Sequence, residues 1–247
     1  MKIYGLIGRS LGHSFSEKYF AEKFKKENIR DCQYRNFELK DLENGIPELK
    51  RNPDLAGLNV TIPYKTEILP FLDDRSAEVA EIGACNCIRI KGGSWKGYNT
   101  DIFGFERSFI PHLKPFHTKA LILGTGGASK AVAFVLKKLK IDFLKVSRSS
   151  SGQDSVISYG DISADLFKKF SVIINTTPLG TFPKIEEAPP LPYELVTGQH
   201  YFFDLIYNPS RTRFLSLAEK QGAVIENGSR MLALQAEESW KIWNEKR

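Results

Sequence analysis

The chain has 247 residues, enough for one large domain or two modest ones with real cores. Its 42% hydrophobic and 26% charged content is that of an ordinary soluble globular enzyme. The net charge of +6 is spread thinly, and the densest basic stretches, Lys23 to Lys26 and Lys137 to Lys140, alternate with apolar positions. They read as solvated helix faces, so no nucleic-acid partner is expected.

Cys32, Cys85 and Cys87 form no disulfide framework, which fits a reducing compartment. Cys85 and Cys87 are alternate positions of a strand with no second Cys or His cluster, so no metal is expected. Met1 to Gly8 lacks the apolar run and cleavage site of a signal peptide, and no stretch reaches membrane-spanning length. A cytoplasmic location without a membrane partner is expected.

In chain order, Lys2 to Ile7 alternates as a strand, Gly8 to Ser14 is a loop and Ser16 to Glu27 has helical periodicity. Tyr34 to Glu38 reads as a strand, Asp41 to Lys50 as an amphipathic helix, and Leu55 to Ile62 as a strand stopped by Pro63. Thr66 to Glu81 is expected to be helical, with a hairpin from Cys85 to Tyr98 around Lys91-Gly92-Gly93. This half implies an open α/β sheet of mixed strand directions.

The pattern changes after Asp101. A helix from Ile102 to Ile110 precedes a buried strand, Lys119 to Leu123, which runs into Gly124-Thr125-Gly126-Gly127-Ala128-Ser129 and a helix from Lys130 to Lys140. Further strands are Phe143 to Ser147, Ser171 to Asn175 and Tyr201 to Leu205. Leu191 to Gly198 reads as a polar connection, and Gly228 to Trp243 as one long closing helix. Strand, glycine turn, helix, strand opens a dinucleotide-binding fold.

Gly124 permits the tight turn, Gly126 leaves room for a pyrophosphate, and the helix start offers N–H groups and a positive dipole end. The third glycine of the fingerprint is replaced by Ser129. An NAD site carries an acidic residue at the end of the next strand; this chain has Ser147-Arg148-Ser149 there, a guanidinium and two hydroxyls suited to a 2′-phosphate. The cofactor indicated is NADP.

Three further features are ambiguous taken alone. Lys65, past Pro63, either projects into a cleft at a strand end or is a solvated lysine. Asp101 reads as a helix N-cap. Ser14 and Glu17 have the spacing of a capping box.

Together these blocks resemble the shikimate dehydrogenase family over nearly the whole chain. They are His13-Ser14-Phe15-Ser16, Asn59 to Lys65 (Asn-Val-Thr-Ile-Pro-Tyr-Lys), Gly83-Ala84-Cys85-Asn86 and Asn99 to Gly104. The glycine turn, the Arg148 strand end and Asn175 to Gly180 follow, then Asp204 to Pro209 with Thr212 and Phe214, and last Asn227-Gly228, Met231-Leu232 and Gln235. The chain departs from the family pattern in the Ser-rich run after Arg148, which bears on 2′-phosphate affinity, and in Cys87, where the family has Thr.

The resemblance implies two α/β domains: a mixed-sheet substrate domain (1–101) and a Rossmann-type NADP domain (102–228), with the last helix (229–247) packing back on the first. The active site would lie in the cleft between them. It implies reversible, NADP-dependent reduction of 3-dehydroshikimate to shikimate, a step toward chorismate and the aromatic amino acids. Lys65 would be the catalytic acid, with Asp101 as its partner. Ser14, Ser16 and Tyr207 would bind the substrate carboxylate, Asn86, Asp101 and Gln235 the ring hydroxyls, with Asn59 and Thr61 lining the pocket. Gly124, Thr125, Gly126, Gly127, Ala128, Ser147, Arg148, Ser149, Thr176, Ile206 and Gly228 would hold NADP(H). A monomer or homodimer is expected. The alternatives are an NAD-dependent quinate/shikimate dehydrogenase and a non-catalytic NADP-binding relative; the missing strand-end acid argues against the first, and the presence of both Lys65 and Asp101 against the second.

Overall fold

The protein is described by a computed structural model covering residues 1–12, 14–148 and 155–245. It divides into two compact units, Met1–Thr100 with Ala236–Arg247, and Asp101–Gln235.

The first unit contains β1 (Lys2–Gly8), α1 (Phe15–Lys26), β2 (Cys32–Glu38), α2 (Leu42–Lys50), β3 (Leu55–Val60), β4 (Asp74–Arg75), α3 (Ala77–Ile82), β5 (Cys87–Lys91) and β6 (Ser94–Tyr98). Among the described residues its sheet has six strands in the order β2-β1-β3-β5-β6-β4. β1 is parallel to β2 and β3, whereas β5 is antiparallel to β3 and β6. Mixed directions follow from the connections: helices carry β1 to β2 and β2 to β3, and a two-glycine turn joins β5 to β6.

The second unit begins in α4 (Thr100–Phe109) and holds β7 (Lys119–Leu123), α5 (Gly127–Lys138), β8 (Asp142–Ser147), β9 (Val156–Ser158) and α6 (Ala164–Lys169). It continues with β10 (Val172–Asn175), β11 (Tyr201–Asp204), α7 (Arg213–Lys220), β12 (Val224–Glu226) and α8 (Ser229–Asn244), the last passing into the first unit. Among the described residues the sheet order is β12-β11-β10-β7-β8-β9, and every pairing is parallel. This is the doubly wound order, which reverses between β7 and β10. The central strands β7, β10 and β11 are apolar and buried nearly throughout, as a sheet covered on both faces requires.

The C-terminal part of α8 belongs to the core of the first unit. Trp243 stacks on Tyr4 with centroids 4.9 Å apart, and its indole N–H donates to the Ile88 carbonyl at 3.0 Å. A Cβ on Gly57 would lie 2.4 Å from that indole, so the close approach requires glycine.

The structure corrects two expected elements. Residues 66–81 are not one helix: a short 3₁₀ turn at Leu69–Phe71 leads to β4, and α3 starts only at Ala77, capped by Ser76. Pro70 has no N–H to continue a helix. The Asp73 carboxylate accepts from Trp95 N–H at 2.7 Å, which draws the chain onto β6. The Leu191–Gly198 connection is also less polar than expected, because Leu191 and Val196 are buried in the second unit's core. α6, α7, β9 and β12 are not marked in the sequence pattern; two are three-residue strands, too short for periodicity to register.

Among the described residues no helix is long and apolar enough to cross a membrane, and no group of three His, Cys, Asp or Glu could hold a metal ion.

Candidate active site

In the first unit the loops after β1 and β3 leave the same edge of the sheet, because the two strands are parallel neighbours. Thr61 N–H donates to the Ile7 carbonyl at 2.9 Å, and Val60 N–H to the Asn86 carbonyl at 2.9 Å. Cys85 N–H donates to the Lys65 carbonyl at 2.7 Å. Gly8 lets the loops meet, since a Cβ there would lie 2.8 Å from the Thr61 methyl. These bonds gather Thr61, Lys65 and Asn86 at the carboxyl ends of β1 and β3, where open α/β sheets bind ligands, and Ser14 closes the loop after β1 with its N–H on the Leu11 carbonyl at 2.9 Å. Ser16 lies in the first turn of α1, 8% exposed.

Ser14 occupies the N-cap position of α1, yet its side chain makes no cap bond, and Glu17 is held by the Asn36 amide at 2.6 Å. The capping box is therefore not formed. The Ser14 hydroxyl is buried without a hydrogen-bond partner among the described residues. Native proteins rarely leave such a group unpaired, and a bound polar ligand is one way to satisfy it.

Asn59 is engaged with the protein itself. Its Oδ1 accepts from the Tyr34 hydroxyl at 2.9 Å, and its Nδ2 donates to Ser239 Oγ at 2.9 Å and the Asn86 carbonyl at 3.3 Å. The Asn86 Oδ1 accepts from Thr100 N–H at 2.6 Å, while its Nδ2 donates to the Thr100 hydroxyl at 3.1 Å. Asn59 thus fixes Asn86 more than it lines a pocket. Thr100 and Ser239 were not among the sequence candidates. Their signals were available: Thr100 sits inside the Asn99–Gly104 block, and Ser239 is one helical turn beyond Gln235 on the same face.

In the second unit, Asp101 is not the N-cap of α4 but lies within its first turn, 6% exposed. Gly104 of the same helix packs against α8, where a Cβ would lie 2.6 Å from the Met231 carbonyl and 3.1 Å from Gln235 Cβ. Asp101 and Gln235 are accordingly carried by two closely packed helices.

The cofactor candidates lie at the carboxyl edge of the parallel sheet. Gly124 has φ +109°, and a Cβ there would meet the Thr176 hydroxyl at 2.8 Å, so both conformation and space demand glycine. Gly126 meets nothing within 4 Å of such a Cβ, which leaves open space over the turn. α5 starts at Gly127 with no side-chain cap, leaving its first N–H groups to face an anion. Ser129, in place of the third glycine, is fully buried and donates to the Gly126 carbonyl at 2.7 Å, so it fits the turn. Thr125 is exposed beside Gly126, and Ala128 is half-buried in the first turn of α5.

Ser147 ends β8 and Arg148 follows it, exposed; Ser149 lies outside the described residues. Across the point where the strand order reverses, the Thr176 hydroxyl donates to the Leu123 carbonyl at 2.7 Å. Ile206 is buried in the loop after β11, and the exposed Tyr207 follows. Gly228 packs against that loop, where a Cβ would sit 2.1 Å from the Leu205 carbonyl oxygen. The residues present fit a dinucleotide: an open glycine cradle, an uncapped helix start and a guanidinium at the neighbouring strand end.

A doubly wound parallel sheet with its glycine turn at the reversal point, joined to a separate mixed α/β unit, is the architecture of a two-unit dinucleotide-binding protein. Residues 6–88 match the model of the shikimate dehydrogenase substrate binding domain. The chain is 37% identical to a shikimate dehydrogenase (NADP(+)) of Caldicellulosiruptor saccharolyticus over 98% of its own length and 92% of the relative's. It is 36% identical to one of Methanosphaera stadtmanae over 99% and 92%. A shikimate 5-dehydrogenase of Thermus thermophilus, solved with NADP(H) and shikimate, superposes with a TM-score of 0.86 at 28% identity, covering 99% of this chain and 94% of that one. The chain belongs to the shikimate dehydrogenase family.

Proposed function

We propose that the protein is an NADP-dependent shikimate dehydrogenase that reversibly reduces 3-dehydroshikimate to shikimate. The reading is carried above all by near-full-length similarity to enzymes of that name, combined with a glycine cradle at the reversal point of a parallel sheet. When bound, the nicotinamide supplies the hydride.

Negative charge develops on the C3 oxygen as the carbonyl is reduced. Lys65 is the acid that protonates it, and the base in the reverse direction. Asp101 is the partner carboxylate that holds the ammonium in place. Asn86, Asp101 and Gln235 bind ring hydroxyls. Asn86 is held for this by Thr100 and Asn59. Ser14, Ser16 and Tyr207 take the substrate carboxylate, which supplies the acceptor that the buried Ser14 hydroxyl lacks. Thr61 lines the same pocket.

Gly124 to Ala128 cradle the pyrophosphate, while Ser147, Arg148 and Ser149 take the 2′-phosphate. Thr176, Ile206 and Gly228 shape the other end of the cofactor site. The protein acts as a monomer or homodimer in the cytoplasm, without a nucleic-acid or membrane partner.

The test follows absorbance of the reduced nicotinamide as purified protein receives shikimate and NADP, with NAD and quinate as comparisons. Turnover with shikimate and NADP is expected to dominate. Tight NADPH binding without turnover would point to a non-catalytic relative, and preference for NAD would overturn the cofactor assignment.

A further inference from the structure

Asp204, the last residue of β11, is wholly buried, and its carboxylate is tied to three segments. It accepts from Asn175 Nδ2 at 3.0 Å, from Ile206 N–H at 3.1 Å and from Thr212 Oγ1 at 2.6 Å. Asn175 ends β10, and in the sheet register it lies opposite both Leu123 and Asp204. Its Oδ1 accepts from the Thr177 N–H and hydroxyl at 3.0 and 2.7 Å, which shapes the turn after β10. Thr212 caps α7. Gly228 N–H donates to the Ile206 carbonyl at 3.0 Å, so the β12–α8 turn leans on the loop that Asp204 holds. One carboxylate therefore joins the ends of two strands to the start of a helix.

Burial pushes this carboxyl up to about 7. A group so costly to bury is more than packing requires, because an apolar side chain of similar size would fill the space without a desolvation penalty.

The location is specific. In a doubly wound sheet the two mononucleotide halves meet where the strand order reverses. Arg148 follows β8, on one side of that point; the loops after β10 and β11 lie on the other, the half that a doubly wound fold offers to the second mononucleotide.

We propose that Asp204 is a positioning residue for the cofactor, holding the Leu205–Tyr207 loop and the Thr176–Thr177 turn in the shape that receives the nicotinamide half of NADP(H). It acts through those loops and has no contact with the reacting atoms. The inference rests on the NADP-dependent reading above.

The test is NADPH titration by fluorescence on Asp204→Ala, Thr212→Val and Thr212→Ser, below the melting onset of each. Phe167→Leu, a change in the same unit's core, serves as a stability control. A wild-type protein that does not bind NADPH overturns the dehydrogenase reading itself. With binding present, Asp204→Ala is expected to raise the NADPH Kd about tenfold or more, and Thr212→Val about three- to fivefold, while Thr212→Ser keeps the wild-type value. KM for NADPH should follow Kd, with kcat changing less. The inference fails if folded Thr212→Val binds NADPH like the wild type, or if Thr212→Ser is as weak as Thr212→Val. It also fails if Phe167→Leu loses the same affinity at a matched loss of melting temperature. Should Asp204→Ala not fold, the threonine pair decides.

Discussion

The side-chain amide of Asn59 donates a 2.9 Å hydrogen bond to Ser239 Oγ, joining β3 to the last helix across 180 residues of sequence. Ser239 Oγ also lies 3.1 Å from the Thr100 hydroxyl, which Asn86 contacts in turn. Ser239→Ala leaves buried polar groups short of a partner, so it should cost about 1–3 kcal/mol of stability. It should also raise KM for shikimate, by loosening Asn86. A urea titration and initial rates check both; lowered stability with unchanged KM would show a network that is structural only.

Ser14→Ala should leave thermal stability unchanged or slightly higher, because no cap bond is lost and a buried, unpartnered hydroxyl is removed. KM for shikimate should rise nonetheless. A loss of stability of the size expected for a lost cap, about 1 kcal/mol, would show that the hydroxyl caps α1 in solution. Ser16→Ala should also raise KM with little stability loss.

If Arg148 binds the 2′-phosphate, Arg148→Ala should raise the NADP KM and leave use of NAD nearly unchanged. The loss of a charge-assisted contact corresponds to roughly 1.5–3 kcal/mol. Equal losses with both cofactors would remove the selectivity role from Arg148.

Lys65→Ala should lower kcat far more than it raises KM, by on the order of 10²–10⁴-fold, because the proton is needed only as charge develops. Asp101→Asn should depress kcat and weaken shikimate binding. Residues acting as one unit are non-additive, so the double variant should be scarcely worse than Lys65→Ala. NADPH titration should be unaffected in all three. Near-normal kcat in Lys65→Ala would end its assignment as the acid.

The buried carboxyl of Asp204 has a pKa raised from 3.8 to about 7 in the folded protein. Folding therefore favours the protonated form, and this contribution is complete below about pH 4 and lost as pH rises through about 7. Urea unfolding from pH 4 to 8 should show wild-type stability falling relative to Asp204→Asn over that window. The fall should be on the order of a few kcal/mol in all, because each tenfold change in proton affinity corresponds to about 1.4 kcal/mol. Parallel profiles for the two proteins would show that Asp204 does not titrate there.

The sequence alone determined the local and periodic features. The alternation of Lys2 to Ile7, the apolar run at Lys119 to Leu123 and the glycine turn after it are written in neighbouring residues, because strand pleat and turn conformation are local constraints. The chemistry-bearing blocks, Asn59 to Lys65 and Asn99 to Gly104 among them, were likewise legible as ordered motifs. The sequence could not show which partner each polar group would take. Ser14 and Glu17 have capping-box spacing, yet the fold gives Glu17 to Asn36 and leaves the serine hydroxyl unpartnered. Thr66 to Glu81 has helical character, but Pro70 and the bond from Trp95 to Asp73 turn it toward the sheet. Only tertiary structure placed Ser239 against Asn59, Thr176 against Leu123 and Asp204 among Asn175, Ile206 and Thr212. Side-chain hydrogen bonds are settled by which buried donors and acceptors the packed elements bring within about 3 Å, and that pairing has no period along the chain.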